Sequence, residues 1–97
     1  INDDEYTNNK IFFLTSQSKS KIYIENYLLK KRIPRSTINE KLNIFDQENE
    51  EWELKSAYSF AQKKNLLNDN EQIDKKMQKM SRAGFPYNLC KKILIKN

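Results

Sequence analysis

Apolar residues recur along the chain at helical spacing. Leu54, Ala57, Tyr58 and Ala61 fall at i, i+3, i+4 and i+7, one face of an α-helix. Ile24, Tyr27 and Leu28 begin the same pattern, and Ile38, Leu42 and Phe45 form another stripe. Ile73, Met77 and Met80 follow it, and Cys90, Ile93 and Leu94 close the series. Near the start, Tyr6, Phe13 and Leu14 share a face that Ile11 and Phe12 broaden. Polar punctuation separates the stripes. Asn2 or Asp3 suits the cap of a first helix with acids in its first turn, and Ser18 or Ser20 the cap of a second. Pro34 and Pro86 suit first helical turns, where a missing N–H costs nothing. Asp46 precedes Glu48, Glu50 and Glu51, an acidic run that favours the positive end of a helix dipole. Gly84 suits a C-terminal stop after Ala83. The pattern predicts an all-α fold of six helices, at 3–17, 20–31, 35–44, 47–64, 70–83 and 87–96, with a long loop expected at 64–70.

The six helices read as three and three. Displaced by 52 residues, Ile33-Pro34 falls on Phe85-Pro86, Leu28 on Met80, Lys30 on Arg82, Ile38 on Cys90 and Leu42 on Leu94. Two tandem three-helix units are expected, 1–45 and 46–97, each too small to bury its apolar face alone. Chance similarity between amphipathic helices is the alternative. The match of Pro with Pro, beyond the stripes, favours duplication.

Composition narrows the chemistry. Ninety-seven residues make one small domain or two very small units, with eleven aromatics to supply a thin core. A chain this short buries little more than ~60% of its unfolded surface. Val is missing and Gly and Pro are nearly so, which disfavours a turn-rich β fold. The absence of His excludes His-based acid–base catalysis and His–metal sites. Cys90 stands alone, so no intrachain disulfide or thiolate cluster forms, and a reduced cytoplasmic compartment is expected. A single Gly excludes a glycine-rich phosphate loop. No apolar run approaches the ~20 residues of a membrane span. Asp3, Asp4 and Glu5 have the wrong charge to open a signal peptide. Neither a cofactor nor a metal is expected, and an enzyme is disfavoured for want of a nucleophile–base pair.

The formal charge of +5 is blocky. Residues 19–41 carry seven bases and two acids, and 75–97 seven bases and no acid. Residues 42–74 carry three bases against eight acids. The basic blocks fall on the second and third helices of each unit. Lys19, Lys21, Lys30, Lys31, Arg32 and Arg35 form one cluster, and Lys75, Lys76, Lys79, Arg82, Lys91 and Lys92 the other. Any one Lys reads most simply as a solvated surface residue. The two clusters, repeated on equivalent helices, read as a face for an acidic partner. The acidic helix 47–64 would repel naked DNA, so a protein or protein–nucleic-acid partner fits better. A stand-alone DNA-binding module, with 35–44 or 87–96 as recognition helix, is the rival. Trp52 is expected at the junction of the units, Tyr27 and Cys90 in the core, and Tyr23 and Tyr87 exposed for contact. Glu50, Glu51 and Glu53 point different ways around a helix, which suits the dipole better than a divalent ion.

These residues resemble the RecX family, regulators of the RecA recombinase. Ile1-Asn2-Asp3-Asp4-Glu5-Tyr6 is similar to the family's hinge between its first and second repeats. Ile24 through Leu28, Lys31-Arg32-Ile33, Ile38 and Leu42 resemble the second repeat. Arg82-Ala83-Gly84-Phe85, with Tyr87, Leu89, Cys90, Ile93 and Leu94, resembles the third and is the most specific stretch. The family usually has Gly where this chain has Arg32, and often Gly-Pro where it has Ser20-Lys21. Late in the first helix of its second repeat a basic residue is common, where this chain has Phe12 and Phe13. The first repeat has no counterpart, as in a C-terminal part or a truncated member. The resemblance implies an elongated, curved, non-catalytic monomer that lies in the groove of the RecA–single-stranded-DNA filament. It also implies inhibition of ATP hydrolysis and strand exchange, and a place in DNA repair and the SOS response.

Overall fold

The computed structural model describes residues 3–68 and 72–95. These form six α-helices and no strand: α1 Asp3–Ser16, α2 Lys21–Lys30, α3 Arg35–Glu48, α4 Trp52–Lys63, α5 Ile73–Arg82 and α6 Tyr87–Leu94. The molecule is elongated, 47 × 24 × 18 Å. Within the first half α1, α2 and α3 pack on one another, and within the second α4, α5 and α6 do the same. The main contact between the halves is α1 against α4.

Each half has its own core. Ile11, Leu14, Ile24, Leu28, Ile33, Ile38 and Leu42 fill the first. Ala57, Ala61, Leu66, Met80, Phe85, Cys90 and Ile93 fill the second. Trp52 crosses that division: it opens α4 but is buried with the first core, edge-on to Phe45 at 5.5 Å. Cys90 packs as a small hydrophobe, and burial pushes its thiol pKa up.

Four helices end in the same turn, and the turn fixes the layout. After α1, α2, α4 and α5 one residue adopts a left-handed conformation: Ser18 (φ 64°), Arg32 (64°), Asn65 (56°) and Gly84 (97°). The next residue then donates its N–H to a carbonyl five positions back. These bonds are Lys19 to Leu14 (3.1 Å), Ile33 to Leu28 (3.1 Å), Leu66 to Ala61 (2.8 Å) and Phe85 to Met80 (3.2 Å). This is the Schellman arrangement, which uses carbonyls that a helix end leaves unpaired. Ile33, Leu66 and Phe85 drop into the cores at that point. Lys19 is polar and turns outward. The α2 and α5 turns lie 52 residues apart, and each is followed by Pro and another helix.

Several sequence expectations need correction. The acidic run predicts a fourth helix opening at 47, but Asp46, Gln47 and Glu48 complete α3. Asp46 lies inside α3, and its side chain has partners there, described below. The chain turns at Asn49–Glu51, with Glu51 left-handed at φ 57°, and the 45/46 division therefore falls inside α3. Pro34 and Pro86 stand just before their helices, not within the first turn. Ser20 caps α2, accepting from the Tyr23 N–H, while Ser18 takes the left-handed turn. On α1 the buried face is Thr7, Ile11 and Leu14, with Phe12 and Phe13 outside. An aromatic pair at adjacent positions cannot share one face of a helix with Leu14. Tyr58 and Ile73, expected on core stripes, lie at the exposed edge. Asn2 as a cap lies outside the described residues.

Gly84 meets two demands. Its φ of 97° is open to glycine, and a Cβ there would run into Ser20 Oγ. Arg32 holds the equivalent place without that neighbour. Gly84→Ala is expected to destabilise the fold by about 2 kcal/mol or more, through strain and the clash. Arg32→Gly is expected to be neutral, or to stabilise by up to ~1 kcal/mol, as the left-handed strain is relieved. Urea unfolding of both variants checks the contrast.

Candidate functional site

The junction between the halves is built from one short segment. In the α1–α2 connection each residue from 18 to 21 is hydrogen-bonded to the second half. Ser18 Oγ donates to Ser59 Oγ at 2.8 Å, and the Lys19 carbonyl accepts from Ser56 Oγ at 2.8 Å. Ser20 Oγ donates to the Ala83 carbonyl at 2.8 Å. The Lys21 N–H donates to Glu53 Oε2 at 2.9 Å, and its Nζ pairs with Asp46 Oδ2 at 2.9 Å. Asp46 Oδ1 in turn accepts from Trp52 Nε1 at 2.5 Å. Small hydroxyl side chains at 18, 20, 56 and 59 allow the backbones this approach. Glu53 is half-buried beneath the segment. Burial pushes its carboxyl pKa up, opposed by the Lys21 N–H and ammonium, with Asp46 and Glu25 pushing it further up.

One side of this junction opens into a cleft of about 390 Å³. Lys19 and Tyr23 form one wall, and Phe60, Lys63, Lys64 and Arg82 the other. Its lining holds four cations and no carboxylate. Lys19 Nζ sits 4.7 Å over the Tyr23 ring, and Lys64 Nζ 6.0 Å over the Phe60 ring. Phe60 is itself held against Phe85 at 5.5 Å between ring centroids. The ends of α4 and α5 reach the cleft, and turn bonds to Ala61, Gln62, Met80 and Ser81, with the Ser20 hydroxyl on Ala83, occupy these five carbonyls. The cleft is therefore a positive, partly aromatic concavity suited to an anion.

The basic clusters of the sequence are dispersed. Lys19 from the first and Arg82 from the second meet in the cleft. Lys21 is engaged with Asp46 on another side, near Lys92, in a depression that also holds Glu51 and Glu53. Lys76 is buried, and its Nζ donates to the Asn68 carbonyl, tying down the chain before α5. Lys30, Lys31, Arg32 and Arg35 surround the α2–α3 turn, with Lys31 Nζ 5.5 Å over the Tyr27 ring. That turn lies one α2 length, ~15 Å, from the junction. Lys75, Lys79 and Lys91 are exposed on α5 and α6. Of the two tyrosines expected to be exposed, Tyr23 lines the cleft and Tyr87 projects from α6. Sequence reasoning missed Lys63 and Lys64. They end a segment whose charge is dominated by acids, and only the turn of α4 into the junction separates them from those acids. Glu50 and Glu51 are exposed in the α3–α4 turn while Glu53 faces Lys21, so the three acids do not converge.

The raised Glu53 pKa sets a pH signature. Its protonated form is favoured by the fold, so its contribution is greatest below the ordinary Glu value of 4.5 and is lost as pH rises through the folded value. Glu53→Gln keeps an acceptor for the Lys21 N–H and removes the desolvated charge. The variant is expected to be at least as stable as the parent at neutral pH, with its advantage shrinking in acid. Thermal unfolding across a pH series checks this.

No family model, curated protein or solved structure matches the chain.

Proposed function

We propose that this chain is a regulatory binding protein of the RecX type. It docks in the groove of a RecA-type recombinase filament on single-stranded DNA and restrains recombination and repair there. The observation that carries this reading is the junction cleft, where Lys19 of the first half and Arg82 of the second converge without an opposing acid. A duplicated helical triplet is supported by the matching turns at Arg32 and Gly84, which lie at the 52-residue offset seen in the sequence. The resemblance gains support at Arg32 in particular. The family usually has Gly there, and this residue is left-handed. In this reading the protein acts as a monomer in the cytoplasm, needs no cofactor and catalyses nothing. Among the described residues no helix is long and apolar enough to cross a membrane. Its elongated shape and dispersed cations suit many weak contacts made at once, which give steering and a salt-sensitive affinity.

Sedimentation with recombinase–single-stranded-DNA filaments across a salt series tests it. Binding that weakens steeply with salt, together with slowed ATP hydrolysis, is expected. Salt-independent binding, or none, overturns it. Equal affinity for duplex DNA without recombinase would favour the rival, a stand-alone DNA-binding module using α3 or α6.

A further inference from the structure

We infer that the junction cleft is a nucleotide-binding subsite that takes one phosphate-bearing unit of a single nucleic-acid strand. The inference deepens the reading above by naming what the cleft holds, and it can fail without that reading. Four observations carry it. The volume of about 390 Å³ lies in the range of small-ligand sites and suits a mononucleotide. Lys19, Lys63, Lys64 and Arg82 supply cations with no carboxylate among them, so their mutual repulsion is relieved by a polyanion. Tyr23 and Phe60 add aromatic surface, which a nucleobase can meet and an acidic peptide has little use for. The floor is fixed in advance by the Ser18–Ser59 and Ser20–Ala83 hydrogen bonds, so little ordering remains to be done on binding.

The aromatic pair selects a single strand over a duplex. The bases of a duplex are paired and stacked inside it, so an unpaired base is needed to reach Tyr23 and Phe60 in the cleft. Lys63, Lys64 and Arg82 are exposed, so their side chains can move onto a phosphate without disturbing the core.

Fluorescence anisotropy with a labelled oligothymidylate of about a dozen nucleotides tests the assignment on the full chain. Lys63→Ala/Lys64→Ala is expected to weaken binding about tenfold at low salt. It should also reduce the log–log salt slope by about 1.4, because each single-strand phosphate that goes unneutralised accounts for about 0.7. Arg82→Ala should weaken binding as well. Compared at ~0.15 M salt, where the Debye length is ~8 Å, Lys30→Ala/Lys31→Ala removes the same charge ~15 Å from the junction and is expected to weaken binding clearly less than the cleft variant does. Equal losses in the two double variants overturn the proposal, because net charge alone then explains the binding. Absence of strand binding by the parent chain overturns it too. So does displacement of the strand by oligoglutamate as readily as by unlabelled oligothymidylate, which would assign the cleft to an acidic peptide. Filament binding is measured on the same variants. If the Lys63/Lys64 variant still binds filaments but has lost the strand, the subsite stands and the filament-binding surface lies elsewhere. If the cleft variants bind the strand like the parent while filament binding persists, the subsite fails and the regulatory reading survives.

Discussion

The structure depends on how the segment from Ser18 to Lys21 is held. Two three-helix units of about fifty residues or fewer cannot exclude much water separately. The hydrogen bonds of this segment to α4 and to the end of α5 seat one unit on the other. They are directional and partly buried, so each fixes a relative position as well as adding stability. Trp52, buried at 8% exposure, adds a large apolar side chain that crosses the boundary. The cleft is a by-product of this seating, because its walls belong to different halves.

The repeated left-handed turn explains much of the remaining layout. It stops a helix, satisfies its last carbonyls and aims the following residue inward. Where that residue is Ile33, Leu66 or Phe85 it becomes a core plug. Where it is Lys19 the backbone carbonyl is offered to Ser56 and the ammonium is left for the cleft. One backbone device therefore yields a packing contact at three places and a polar junction at the fourth.

Much of the fold was legible in the sequence. The stripes around Ile24, Ile38, Ala57 and Cys90 located their helices, because a period near 3.6 has few other readings. The α3–α4 boundary was not legible. In sequence Asp46 stands before an acidic run that suits a helix start, but it lies inside α3, where its side chain meets Lys21 and Trp52. The candidate site was legible in half. Lys19 and Arg82 stood out within basic runs. Lys63 and Lys64 were hidden in a net-acidic segment, and their role depends on the direction in which α4 carries them. Lys21 and Lys76 belong to the basic clusters expected to face a partner, yet an ion pair and a backbone carbonyl claim them. Charge counting along a chain does not see which charges neutralise one another in space.

Trp52 belongs to the second half by sequence and to the first by packing, and it is the sole indole in the chain. Its emission therefore reports on the seam between the halves. A loosening that left both triplets folded would still wet this chromophore and redden its spectrum, so junction opening can be followed optically in the native protein without an added label.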